Sequence, residues 1–387
     1  MNILMYLHRY PGYGGIESVT TYLANFFETK GINVSIYSFI AQDEDSLRGL
    51  LDSNIKIFHP ISIEGHDSMV DSIKKVLTDN QIDIVVFQDS YAHVEDILLD
   101  AIRGTKAKLC VVEHNAPDCF LKGLKETYRA KLKWYLSILW LSYPVQLFRI
   151  RSEIKRRHRL LYSACDRYIL LSSKFYTVLA KFIGTFDDCK VKSIHNPITV
   201  KLPRSRCFSK ENICLFCGRL TEQKGIRYLM EIWSRVAPMN QDWKFIIVGD
   251  GPLRDYVLLK IRENNLNNVI LTGFVSDPSE YYSKASILCM SSIFEGWMLS
   301  LVESMVYGCV PVTFNSYESV SDIIDNGING ILIEPFDVDD YVRRLMDLMH
   351  NVKKREDMSR KAIATSIQFD IQKIGAQWIN LFNSLVH

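Results

Sequence analysis

Ile213-Cys214-Leu215-Phe216-Cys217-Gly218-Arg219-Leu220-Thr221-Glu222-Gln223-Lys224-Gly225 carries the information that decides the architecture. Its first five residues are an unbroken apolar run, which reads as a strand buried on both faces. A glycine-bounded loop follows and opens into a helical pattern, so the unit belongs to a parallel sheet whose ligands collect beyond the carboxyl ends of the strands. Arg219 and Lys224 lie five residues apart on that loop. Two cations there are either ordinary solvated charge or a pair that neutralises a diphosphate leaving group without a metal.

The same rhythm runs outward in both directions. Beyond this unit, apolar runs at 244–248, 269–271, 286–289, 310–313 and 331–333 are each followed by a helical pattern. Before it lies a polar stretch containing Pro197 and Pro203, and then a second set of strands at 2–7, 33–39, 83–87, 108–112 and 167–171. Helical patterns near 17–29, 67–79, 93–103 and 173–183 separate them. Strands alternating with helices make two doubly wound α/β domains, which also suits a chain of 387 residues. The expected boundaries are 1–195 for the first domain, 196–211 for the linker and 212–365 for the second.

Hydrophobic residues make up 48% and charged residues 23%, which excludes disordered, collagen-like and low-complexity chains. The net charge of +2 argues against a protein coated in basic charge for nucleic acid. Nine cysteines, an odd number lying mostly inside apolar runs, fit buried free thiols of a reducing compartment. Cys214 and Cys217 spell C-x-x-C inside a strand, with no second pair at zinc spacing. Met1 to Arg9 has no basic n-region and no long apolar core, so no export signal is expected. The apolar run Trp134–Phe148 contains Pro144 and, at about 22 Å as a helix, falls short of a roughly 30 Å bilayer core. A cytoplasmic location is the expectation.

Other loops carry candidate chemistry. Pro11-Gly12-Tyr13-Gly14-Gly15-Ile16-Glu17 opens directly into a helix, whose free amides suit phosphate. The dinucleotide fingerprint G-x-G-x-x-G fails there at Glu17, and fails again at Arg254 in Gly249-Asp250-Gly251-Pro252-Leu253-Arg254. Each turn is therefore either a tight βα connection or a phosphate cradle. Phe294-Glu295-Gly296-Trp297-Met298-Leu299-Ser300-Leu301-Val302-Glu303 places Glu295 in a loop and Glu303 about one turn into a helix capped by Gly308. Amides near Met298 and Leu299 would meet an anion, and the two carboxylates would accept from hydroxyls; a plain capping Glu and a surface Glu fit the spacing as well. Asp43-Glu44-Asp45 and Asp337-Val338-Asp339 spell D-x-D, the first in a polar loop and the second at a helix N-cap, so both are read as structural.

Six motifs occur in a fixed order: Gly14-Gly15-x-Glu17, Gly218-Arg219-Leu220 to Lys224-Gly225, Gly249-Asp250-Gly251-Pro252-Leu253, the Glu295 to Glu303 pair, Gly308-x-x-Pro311-Val312, and Asp325-Asn326-Gly327-x-Asn329-Gly330. Together they resemble the retaining GT-B glycosyltransferases of the family 4 type, over nearly the whole chain. The resemblance implies two facing Rossmann-like domains with parallel sheets, an inter-domain cleft, and a terminal helix at 366–387 returning to the first domain. It implies that Arg219 and Lys224 bind the diphosphate of a nucleotide-sugar donor, helped by Gly14-Gly15 and by amides at Met298 and Leu299. Glu303 would hold the ribose, Phe274 and Val275 would line the base pocket, Glu295 would contact the transferred sugar, and His114 would stand near the sugar and the departing phosphate. Taken alone, a strand-end histidine such as His114 is more often structural. No metal or other cofactor is required in this arrangement. The position usually held by a small residue or proline carries Met298, with Ser300 after it. The expected activity is hexosyl transfer in polysaccharide or glycolipid assembly, the alternatives being a donor-binding inactive partner and a nucleotide-sugar epimerase.

Between Lys122 and Arg159, eleven Lys and Arg against two Glu give a local charge of +9 and leave −7 for the rest of the chain. Trp134, Tyr135, Trp140, Tyr143 and Phe148 are interleaved, which reads as an insertion (about 122–160) that meets an anionic membrane surface and suits a saccharide or lipid-linked acceptor. The other reading is a helix pair whose apolar face, including Ile150, Ile154 and Leu161, packs in the core while its charges face water. Nucleic acid is the weaker third option, because no recognition motif accompanies the charge.

Overall fold

The computed structural model describes residues 1–12, 14–40, 50–60, 65–89, 94–132, 138–203 and 210–386. The chain forms two compact units. The first takes 1–121, 128–199 and 369–387, and the second takes 122–127 and 200–368.

The first unit holds a seven-stranded, all-parallel sheet in the order β3-β2-β1-β4-β5-β6-β7. Its strands are β1 (Asn2–Arg9), β2 (Asn33–Ile40), β3 (Lys56–Phe58), β4 (Ile84–Asp89), β5 (Lys108–Glu113), β6 (Arg167–Leu170) and β7 (Val191–Ser193). Apolar residues on both faces of β1, β4 and β5 are buried, as helix cover on each side of a parallel sheet requires. The helices are α1 (Gly15–Thr29), α2 (His66–Asp79), α3 (Glu95–Ile102), α4 (Cys119–Leu132), α5 (Ile138–Ala164) and α6 (Tyr176–Ile183). Strands β3 and β7 lie at the sheet edges and are absent from the sequence reading, because three residues carry no alternation to detect.

The second unit holds a six-stranded, all-parallel sheet in the order β10-β9-β8-β11-β12-β13. Its strands are β8 (Glu211–Cys217), β9 (Lys244–Val248), β10 (Val269–Gly273), β11 (Ala285–Cys289), β12 (Val310–Phe314) and β13 (Ile331–Ile333). The helices are α7 (Ile226–Val236), α8 (Arg254–Glu263), α9 (Ser279–Lys284), α10 (Leu299–Val306), α11 (Val320–Ile323), α12 (Val338–His350) and α13 (Val352–Ser366). Helix α10 ends in a Schellman motif: Cys309 N–H reaches Ser304 O, Gly308 N–H reaches Met305 O, and Gly308 sits at φ +77°. Asp337 caps α12 by accepting from the Asp340 amide.

After α13 the chain rejoins the first unit, where the Ile198 amide donates to Phe369 O. The last helix, α14 (Ile371–Val386), packs on α1 through Phe382 against Phe27, with ring centroids 5.3 Å apart. Gly375 permits this contact, since a Cβ there would fall 2.1 Å from the Phe26 ring.

Helix α5 differs from expectation at one point. Arg157 is buried, 3.5 Å from Glu95 and 3.8 Å from Glu113, so it does not belong to the solvated charge of the insertion. Its neighbour His158 is fully buried between the Tyr168 hydroxyl (2.8 Å) and Pro117 O (3.0 Å). Both residues fall on the inward stripe that Ile154 and Leu161 mark at helical spacing. Trp134, Tyr135, Cys207 and the D-x-D at 43–45 lie outside the described residues.

Candidate active site

In each sheet the strand order reverses once, and that switch point is where an open α/β sheet gathers its ligand. In the second unit it falls between β8 and β11, so the loops after Cys217 and Cys289 lie side by side. They are tied together by backbone and side chain. The Ile293 amide donates to Gln223 O (2.7 Å), Gln223 Nε2 donates to Phe294 O (3.1 Å), and Ser291 Oγ reaches Lys224 O and Gly225 O (3.0 Å each). Gly225 holds the left-handed conformation at φ +65°, and a Cβ on it would lie 1.9 Å from Ser291 O. The glycine is therefore required twice, by torsion and by space.

That tie brings Lys224 Nζ to 2.7 Å from Glu295 Oε1, with side-chain exposures of 18% and 7%. Beside the pair, α10 begins after its N-cap Met298, a buried residue in extended conformation whose side chain makes no capping hydrogen bond. Its first amides, at Leu299 and Ser300, thus have no intrahelical partner. Tyr317 places its hydroxyl 3.8 Å from Met298 Sδ, and burial together with the Glu295 charge raises its pKa well above the ordinary phenol value. Arg219 is exposed on the same loop as Lys224.

Glu303, one turn along α10, is buried and accepts from the Tyr282 hydroxyl at 3.1 Å. Burial first, then the Cys217 and Glu303 charges, hold Tyr282 well above the usual range, so it stays a neutral donor. The Cys217 thiol, at the end of β8, is likewise pushed up to about 12, chiefly by burial. Phe274 is exposed after β10, and Val275 is half-buried.

The glycine turn 249–251 is a backbone junction. A Cβ on Gly249 (φ +140°) would lie 2.0 Å from Gly218 O, and one on Gly251 would lie 2.6 Å from Leu220 O. These glycines let the β8 and β9 loops pass in contact, where the Leu220 amide donates to Asp250 O.

In the first unit, His114 follows β5 and is buried, its Nε2 hydrogen-bonded to the Gln88 side-chain amide at the end of β4. Burial lowers its pKa to about 3, so its imidazole is neutral at any working pH. Gly14 caps α1, and the Glu17 carboxylate folds back against it, Oε2 lying 2.2 Å from where a Gly14 Cβ would stand. The positive end of α1 thus already faces an acid from its own first turn. Gln88 and Tyr282 escape the sequence reading. Neither belongs to a recognisable motif, and only the fold reveals its partner.

Comparison with known proteins decides the family. The profile for Glycosyltransferase Family 4 matches residues 13–202, and that for Glycosyl transferases group 1 matches residues 200–365. A glycosyltransferase of Haemophilus influenzae is 30% identical over 62% of this chain and 68% of its own length. The chain belongs to the glycosyl transferases group 1 family. This group 1 enzyme is a glycosyltransferase of GT-B architecture. An undecaprenol-diphosphate-saccharide α-1,4-N-acetyl-D-galactosaminyltransferase of Campylobacter jejuni is 26% identical over 58% of the group 1 chain and 61% of its own length. Anabaena HepE, solved in complex with UDP-glucose, shares the fold at a TM-score of 0.77 and 17% identity, covering 99% of this chain and all of its own. No helix among the described residues is long and apolar enough to cross a membrane.

Proposed function

We propose that this group 1 enzyme is a retaining glycosyltransferase that moves a hexosyl group from a UDP-sugar to a saccharide carried on a lipid or polymer, at the cytoplasmic face of a membrane. The observation that carries the reading is the Lys224–Glu295 pair set beside the uncapped start of α10 at a sheet switch point. A cation, free helix amides and a carboxylate within one loop cluster suit a diphosphate with a hydroxylated sugar attached. Support for the uridine nucleotide and the carried acceptor comes from what HepE holds and what the Campylobacter relative acts on.

The roles follow from the groups present. Lys224, Arg219 and the amides at Met298 and Leu299 hold the diphosphate, and their charge serves the leaving group without a metal. Glu303 accepts from the ribose hydroxyls, Phe274 and Val275 border the base, and Glu295 orients the sugar. In the first unit, His114 is a neutral imidazole, a hydrogen-bonding group and not a charge. The leaving diphosphate receives the proton of the acceptor hydroxyl on the face it vacates, which retains the anomeric configuration.

For the membrane, α5 presents Val145 and Phe148, 60% and 73% exposed, on one stripe with Arg149 and Arg156.

The direct test is thermal stabilisation by UDP, GDP and ADP on the parent and on Lys224→Ala. UDP at a hundredfold excess over the parent's Kd is expected to stabilise the parent by about 2.7 kcal/mol and Lys224→Ala by only about 1 kcal/mol. Equal stabilisation of both proteins, or of neither, overturns the donor site. The anomeric proton coupling of the product reports retention.

A further inference from the structure

We propose that Tyr282 is a positioning residue of the donor site: its hydroxyl fixes one oxygen of Glu303 so that the carboxylate meets the ribose diol in a single orientation. The proposal rests on the reading of Glu303 as the ribose carboxylate and adds the group that makes it selective.

Three observations support it. First, Tyr282 is fully buried and the hydroxyl-to-carboxylate bond is 3.1 Å, so the contact is not a surface coincidence. Second, Tyr282 is held from several sides. Its carbonyl accepts from Lys210 Nζ at 2.8 Å and from the Cys309 thiol at 3.1 Å, and its ring lies 6.1 Å from that of Tyr307. The Tyr282 backbone is therefore held by the residue before β8 and by the turn after α10, and its ring has an aromatic neighbour, so the hydroxyl has little freedom to follow a wandering carboxylate. Third, the Cys217 thiol and the Tyr282 phenol both keep their protons, so the phenol remains a donor to the Glu303 carboxylate.

An ionised carboxylate has about four acceptor sites. A fixed neutral donor on one oxygen biases how the remaining sites point, and a vicinal diol needs two acceptors at set spacing. Holding the carboxylate before the ligand arrives removes an ordering cost from binding. The gain should appear only with ligands that carry the diol.

The experiment measures Kd for UDP and for 2′,3′-dideoxy-UDP on the parent, Tyr282→Phe, Glu303→Gln and the double variant. The parent is expected to prefer UDP by tenfold or more. Tyr282→Phe keeps the ring and should lose three- to tenfold of that preference while binding dideoxy-UDP as the parent does. In the Glu303→Gln background the same change should have no further effect. An unchanged UDP preference in Tyr282→Phe, or equal weakening of both ligands, overturns the proposal. A parent that binds both ligands alike, or neither, instead overturns the reading of Glu303. If Tyr282→Phe does not fold, 3-fluorotyrosine at 282 gives the second readout: its ¹⁹F resonance should move with UDP and stay with dideoxy-UDP, and an equal response to both counts against the proposal.

Discussion

Removing either member of the Lys224–Glu295 pair should move nucleotide binding in opposite directions, and that sign difference tests the site most sharply. Glu295 is 7% exposed and its cation lies 2.7 Å away. Breaking a buried ion pair by deleting one partner costs about 3–5 kcal/mol. Lys224 is 18% exposed, so water relieves part of the loss. Lys224→Met is therefore expected to cost about 2–3 kcal/mol, or roughly 4–12 °C in the transition of the second unit at about 2–4 °C per kcal/mol. Glu295→Gln leaves a lysine that can reach solvent and should cost about 1 kcal/mol. The double variant leaves no uncompensated charge, so its loss should be smaller than the sum of the two by about 1–2 kcal/mol.

Binding adds the second axis. UDP loses a charge-assisted contact in Lys224→Met, worth about 2 kcal/mol or roughly thirtyfold in Kd. Glu295→Gln removes an anion beside the diphosphate and frees the lysine, so UDP should bind about three- to tenfold tighter while sugar transfer falls. Calorimetric titration of UDP and a turnover assay read the two effects separately. If Glu295→Gln weakens UDP, or Lys224→Met leaves it unchanged, the lysine does not serve the diphosphate and the assignment fails.

Gly225→Ala should cost well over the roughly 1–2 kcal/mol of a left-handed alanine and abolish UDP stabilisation, because its Cβ would meet Ser291 O at 1.9 Å. Gly31→Ala, at φ +73° with no neighbour within 4 Å, should show the torsional cost alone and bind UDP normally; similar behaviour of the two by calorimetry contradicts the loop-tie argument. His114 has a folded pKa of about 3 against an unfolded value of about 6.5, so the unfolded chain binds the extra proton between those limits and stability rises with pH across that window. Acidification from pH 7 to 5 should thus cost the parent about 2 kcal/mol more than His114→Phe in urea unfolding, and equal slopes would contradict the burial argument. Transfer should persist in excess EDTA if Arg219 and Lys224 supply the positive charge as proposed; its complete loss, restored by a divalent cation, would require a metal instead.

The second-unit strands read almost to the residue, because a strand buried on both faces leaves an unbroken apolar run that few other elements produce. The three-residue edge strands β3 and β7 left no such trace. The site was legible as an ordered set of motifs and not as contacts. Lys224 and Glu295 are 71 positions apart, and nothing in either loop states that Ser291 and Gln223 fasten the two. The turn at 249–251 shows the converse: its glycines look like a phosphate cradle, yet they serve the passage of one backbone past another. Arg157 was misread although its signal was present, since a cation at the spacing of Ile154 and Leu161 faces inward with them.

Arg156 and Arg157 make that last point testable, because adjacent identical residues on α5 should fail in different ways. Arg156 is exposed on the stripe of Val145, Phe148 and Arg149, whereas Arg157 is buried on the opposite side with Glu95 and Glu113. Arg156→Gln removes one surface charge, worth about 1 kcal/mol at an anionic bilayer, and should reduce co-sedimentation with anionic vesicles about fivefold at low salt without moving the melting temperature. Arg157→Gln leaves two buried carboxylates without their guanidinium, so the loss should be about 3 kcal/mol or more in the first unit. The folded fraction of that variant should still bind vesicles as the parent does. Glu113 immediately precedes His114, so the inward face of α5 supports the strand end that carries the histidine while its outward face carries the exposed stripe of Val145, Phe148, Arg149 and Arg156. If Arg157→Gln weakens vesicle binding at constant folded fraction, or Arg156→Gln lowers stability instead, the two faces have been assigned the wrong way round. Binding to neutral vesicles as strong as to anionic ones would remove the electrostatic basis of the stripe altogether.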